Sequence, residues 1–272
     1  MEGLGEKVQE LLHELANLPA FQSLETAHPV PAGDPWVFSN YILFVIVAAA
    51  LTALFFIVAS RRVTLVPKGI SNVAEAGVEF MRNMCVDVMG EQGVKYFPFV
   101  ATLFFFILIS NMIGLIPGMK PATGTIGVTA TLAMLTWVVF VAVGLTKNGF
   151  FGYMKSLIPS GVREMGIGAR IGLGVYIFVL EFFSTFIVRP LTLAVRLFAN
   201  MYAGHIILGI FGAFVTLAWA RFSVGGALVG GLSLFMTILM YAFEVFVAFI
   251  QAYVFAILTA VYIGSSLHAA EH

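Results

Sequence analysis

Residues 189 to 205 read Arg-Pro-Leu-Thr-Leu-Ala-Val-Arg-Leu-Phe-Ala-Asn-Met-Tyr-Ala-Gly-His, setting the permanent cation Arg196 inside a stretch fit to lie within a membrane. From Ile171 to Ala220 the formal charges are Glu181, Arg189 and Arg196 alone. A guanidinium at bilayer depth costs roughly 2.5 to 3.5 kcal/mol on insertion scales, and it cannot escape by losing its proton. The chemistry open to such a group is the handling of an ion or of a partner's carboxylate. Further on, Glu244 and Gln251 stand seven residues apart, on one face of a helix. Ser223-Val-Gly-Gly226 is the turn signal between the two stretches, and a fold-back there sets Arg196 level with Gln251 and His205 level with Glu244. A histidine and a carboxylate can exchange protons near neutral pH. Asn200 shares the face of Arg196, whereas His205, nine residues on, falls nearly opposite. Plainer readings stay open: a structural His205–Glu244 pair, a Gln251 that only bonds helix to helix, and a chain break at Pro190 that would leave both arginines as surface loop charges.

The elements that must position these groups follow from composition. The 272 residues are 60% hydrophobic and 10% charged, with a mean hydropathy of +1.00, where soluble domains carry about a quarter charged residues. This is an integral membrane protein, and nothing implies a nucleic-acid partner. The single Cys85 can form no internal disulfide, and no Cys/His metal spacing is present. Residues 1–34 form an acidic extension in which Glu2, Glu6, Glu10 and Glu14 recur every four residues along a short amphipathic helix. They lack the basic start of a secretory signal. The first transmembrane helix is expected at 35–60, an amphipathic interfacial helix at 61–95, a transmembrane hairpin at 96–146 and a loop at 147–170. Two long helices follow, 171–221 with Arg196 and 222–272 with Glu244 and Gln251. Fifty helical residues would measure about 75 Å against a hydrocarbon core of about 30 Å. Each long segment is therefore either two ordinary spans or one steeply tilted helix.

Nine basic residues lie in 61–95 and 147–170, against Lys7, Lys120 and Arg221 on the other side. The basic side is expected to be cytoplasmic, with the amino terminus outside. Glu181 then lies toward the cytoplasm, Arg196 near mid-depth, and His205 with Glu244 toward the outer side.

The strings Arg189-Pro190, Arg196-Leu-Phe-Ala-Asn200-Met-Tyr-Ala-Gly204-His205 and Gln251-Ala-Tyr-Val-Phe-Ala-Ile-Leu-Thr-Ala-Val-Tyr262 resemble subunit a of the F-type ATP synthase. Weaker similarity runs through Asn111-Met-Ile-Gly-Leu-Ile-Pro117 and Leu180-Glu181-Phe-Phe-Ser184. The resemblance implies an all-α membrane fold of about five crossing helices plus an interfacial one, the last two long and tilted against a rotor ring. It implies two offset half-channels that carry protons to and from carboxylates of the c-subunit ring. Arg196 would separate them, with His205, Glu244, Gln251 and Asn200 on the entry side and Glu181 and Ser184 at the exit. Members differ in which of the two positions, 205 or 244, holds the histidine, which supports reading the pair as one exchangeable site. Implied partners are the c ring, b-type peripheral stalk subunits, the remaining ATP synthase and the lipid bilayer. The expected location is a bacterial plasma membrane, with a cytoplasmic carboxyl terminus. No cofactor, metal or ATP site is expected in this non-catalytic chain. The alternative is a self-contained ion channel or secondary transporter, although the halves show no repeat and no second charged cluster closes a substrate cage. An intramembrane enzyme lacks its motifs here.

Overall fold

The computed structural model describes residues 40–60, 69–116, 121–156, 167–220 and 224–267. The acidic extension, Arg61, Arg62, Lys68, Lys120, Arg163, Arg221 and Ser223 lie outside the described residues. Everything described is helix or short turn. In chain order the helices are α1 (Asn40–Ser60), α2 (Ile70–Met89), α3 (Phe97–Gly114), α4 (Ile126–Ser156), α5 (Ile167–Phe183), α6 (Arg189–Ala220) and α7 (Val224–Leu267). A 3-10 turn, Glu91–Tyr96, leads into α3, and a π-helical turn, Ser184–Val188, joins α5 to α6. Five stretches are long and apolar enough to cross a bilayer: Ile42–Ser60, Glu91–Gly114, Ile126–Lys155, Gly172–Ala218 and Leu228–Leu267. The chain is a multi-pass helical membrane protein.

The chain divides into two compact units, the larger being Phe44–Met201 with Ala248–His272, and the smaller Met1–Leu43 with Tyr202–Val247. In the larger unit α3 is central. Its run of Phe, Leu and Ile is buried on most sides, and Phe104, Phe105 and Ile107 lie in one cluster with Met81, Cys85, Phe140, Leu197, Phe255 and Ile263. By contrast α1 is apolar all round and buries little beyond Ala48 and Thr52, as expected of a helix whose solvent is lipid. Helix α2 is two-faced: Ala74, Met81, Cys85 and Met89 are buried while Glu75, Glu79, Arg82 and Asp87 are exposed, a stripe of helical period. It runs in the same direction as the last part of α7, with the Phe80 ring 5.4 Å from that of Tyr253 and Met89 against Gly264. Helix α4 is interrupted at Gly149, whose φ of 68° is open to glycine at no steric cost. In the smaller unit, Ala213, Ser233 and Glu244 are the buried side chains among the described residues of α6 and α7.

Candidate functional site

No loop opens at Pro190. The backbone stays helical from Ile167 to Ala220, but it changes pitch at Ser184–Val188. Pro190 has no N–H to offer the carbonyl of residue 186, and its ring crowds that carbonyl. The chain relieves this with one wide turn in which the Arg189 N–H bonds the Ser184 carbonyl, five residues back. Eight residues along a regular helix would leave Glu181 and Arg189 about 80° apart. The extra residue in the wide turn rotates them onto one face, where Arg189 Nη2 donates to Glu181 Oε1 at 2.5 Å. The ring of Tyr262 covers the guanidinium at 5.3 Å, a cation–π contact. The partners of Arg189 are thus a carboxylate and an aromatic face, and Ser184 contributes through its carbonyl.

Arg196 lies two turns further along α6 in a different setting. Leu193, Ala194, Leu197 and Met201 turn inward and are 4% exposed or less. Leu191, Val195 and Ala199 are exposed, and Arg196 is exposed among them. It stands at the centre of the apolar stretch Gly172–Ala218, with no hydrogen bond or ion pair among the described residues. Asn200, one turn on, is half-buried. On α7, Gln251 is 7% exposed, and its Nε2 is buried without a partner among the described residues. Leu193, Ala194 and Leu197 belong to the same buried cluster as Ala252, Phe255 and Ala256, so the flanks of Arg196 and Gln251 share one core.

In the smaller unit Glu244 is 6% exposed. Its carboxylate fills the space a side chain at residue 204 would need, so Gly204 is what lets it in. This is the level at which a fold-back at 223–226 sets the two helices. His205 is half-buried, and its Nε2 has no hydrogen-bond partner among the described residues. Glu244 thus touches the backbone beside His205 without a direct His–Glu bond. The sequence signal for Gly204, a residue with no side chain opposite a buried carboxylate, was present but unassigned. The described residues hold no group of three His, Cys, Asp or Glu suited to a metal ion.

Comparison with known proteins agrees across nearly the whole chain. The profile of the ATP synthase A chain family matches residues 42–264. ATP synthase subunit a of Hyphomonas neptunium is 42% identical over 240 residues, covering 86% of this chain and 89% of the relative. That of Rhodococcus erythropolis is 42% identical over 243 residues, covering 88% and 86%, and that of Maricaulis maris 41% over 239, covering 85% and 89%. With its helices, motifs and matches in agreement, the chain belongs to the ATP synthase A chain family.

Proposed function

We propose that this chain is the ion-translocating stator subunit of an F-type ATP synthase and that Arg196 divides two offset half-channels. The observation that carries the reading is an exposed guanidinium at the centre of a bilayer-length apolar stretch, with no partner among the described residues of its own chain. A charge so costly to bury is matched by a carboxylate that arrives from a neighbouring subunit. At about 4 Å and an effective dielectric near 20, the two attract by roughly 4 kcal/mol, about three pKa units, enough to keep a passing acid ionised.

A proton cannot occupy the place of a fixed cation. It enters from the outer side by way of His205, Glu244, Asn200 and Gln251, and neutralises a c-ring carboxylate. After a turn of the ring it leaves toward the cytoplasm past Glu181 and Ser184. Each proton moving down 100 mV releases about 2.3 kcal/mol, and the offset of the two paths directs that release into rotation. Two features support the entry site: the Glu244 carboxylate against Gly204, and unpaired nitrogens on both His205 and Gln251. Helix α7 has 44 residues, about 66 Å and roughly twice the hydrocarbon thickness, which supports a strong tilt along a rotor. The partners in this reading are the c ring, the b-type stalk and the rest of the synthase. The setting is a bacterial plasma membrane, with the amino terminus outside and the carboxyl terminus cytoplasmic. The test is Arg196→Ala in inverted membrane vesicles. Proton-driven ATP synthesis disappears while the complex still assembles, and retained coupled synthesis refutes the assignment.

A further inference from the structure

Three spanning stretches meet at one cleft in the larger unit. A cavity of about 330 Å³ is lined by Gln92, Lys95, Tyr96, Thr146, Lys147 and Leu267, at the lower end of the range for small-ligand sites, roughly 300 to 1,000 Å³. Gln92, Lys95 and Tyr96 come from the turn that opens α3, Thr146 and Lys147 from the last turn of α4 before Gly149, and Leu267 from the end of α7. The apolar stretch Glu91–Gly114 thus begins here and Leu228–Leu267 finishes here, while Ile126–Lys155 is interrupted just beyond, at Gly149. That sets the cleft at the depth where hydrocarbon gives way to headgroups. Its wall is tied down, since Asn148 Nδ2 donates to the Ser266 carbonyl at 3.2 Å.

Among the described residues, the lining of the cleft carries two ammonium groups and no carboxylate. Lys147 Nζ donates to the neutral Gln92 Oε1 at 2.8 Å, and Lys95 Nζ sits 4.9 Å from the centre of the Tyr96 ring. Among the described residues neither lysine has a carboxylate within ion-pair distance, although Glu91 opens the same 3-10 turn. An ammonium has three donors, and the Gln92 amide takes one from Lys147. Just beyond Gly149, three and four residues on from Lys147, Phe150 and Phe151 are 63% and 86% exposed, apolar surface that suits acyl chains.

We propose that this cleft binds the phosphate of an anionic phospholipid headgroup, with Lys95 and Lys147 on the phosphate oxygens and Phe150 and Phe151 against the acyl chains. Basic pockets between spanning helices at the membrane surface suit that chemistry. The site rests on the membrane placement of the chain and is independent of the role given to Arg196.

The test reconstitutes the intact complex in phosphatidylcholine nanodiscs doped with photo-crosslinkable phosphatidylglycerol and maps the adducts by mass spectrometry. Adducts concentrate on residues 91–96 and 146–151. The double variant Lys95→Gln/Lys147→Gln lowers their yield roughly 30-fold, about fivefold per lysine, while Lys95→Arg/Lys147→Arg keeps it. Unchanged ATP hydrolysis and migration on a native gel show that the variants are assembled. Should the glutamine variant fail to assemble, the wild-type complex answers alone: unlabelled phosphatidylglycerol displaces the probe and extra phosphatidylcholine does not. Four results overturn the proposal: equal labelling of the glutamine variant in assembled complex, adducts spread evenly along the chain, displacement by millimolar inorganic phosphate, and labelling that appears only after residues 268–272, with Glu271, are removed. The third points to a free-anion site and the fourth to the chain's own tail as occupant.

Discussion

The turn around Arg189 and the turn around Arg196 carry the same side chain, seven residues apart on the same helix, and the two guanidiniums are held in opposite ways. Arg189 is closed within the chain, its charge matched by Glu181 at 2.5 Å and its face covered by Tyr262. Arg196 projects among exposed apolar side chains. A cation satisfied inside its own fold has its donors and its charge already matched, whereas one left open within an apolar belt keeps both free. The residue type and even the helix are shared. What differs is the wide turn before Pro190, which rotates one arginine onto a carboxylate two turns back.

The contrast is most directly broken by truncating each arginine in turn. Arg196→Ala is expected to lower proton-driven ATP synthesis in vesicles roughly thousandfold, the equivalent of about 4 kcal/mol of lost attraction. Arg189→Ala should leave most of the activity, and equal losses at the two positions would erase the distinction. Gly204, further along α6, sharpens the comparison because the Glu244 carboxylate there occupies the place of an absent side chain. Gly204→Val drives a branched group into the Glu244 carboxylate and is expected to slow proton uptake about a hundredfold, as displaced reacting groups do. The measurement is fluorescence quenching in vesicles with the complex quantified on native gels. A Gly204→Val enzyme with normal uptake would mean that Glu244 is off the path.

A smaller effect belongs to the closed pair. A double-mutant cycle on Arg189→Ala and Glu181→Ala, read as thermal stability of the assembled complex, should give a coupling of about 1 kcal/mol, held down by the exposure of both groups. Additive losses would make the contact incidental. The smallest expected signal is a useful blank. Cys85 is fully buried on α2, and burial pushes its thiol up to about 11, so at pH 8 about one molecule in a thousand carries the reactive thiolate. Maleimide labelling of the native chain should be negligible at pH 8 and rise as pH climbs toward that value. Against this blank, Arg196→Cys should label faster than Arg189→Cys with a water-soluble reagent, and the reverse order would contradict the open and closed settings.

Much of this was legible from residue order. Uncharged runs of bilayer length reveal spanning helices because the cost of burying charge in lipid is local and additive along the chain. The level of Glu244 opposite Gly204 and His205 was readable too, since two helices joined by one short turn have a register set by counting. The Arg189–Glu181 pair was not. Eight residues is no helical neighbour spacing, and nothing in the string Ser184-Thr-Phe-Ile-Val188 announces a wide turn. The proline announces a conflict, and packing decides whether the chain breaks, kinks or widens. The cleft between Lys95 and Lys147 was equally hidden, because the two lysines are 52 positions apart in sequence and read as separate surface charges.

Residue order by itself determined that this chain is helical, crosses a membrane several times and sets Arg196 at the centre of a long apolar stretch, because hydropathy and helical period are properties of consecutive residues. Tertiary structure decided which of the two arginines is neutralised at home and which polar groups share a face or a cleft. Those outcomes depend on one rotated turn and on contacts between distant segments, which no local pattern encodes.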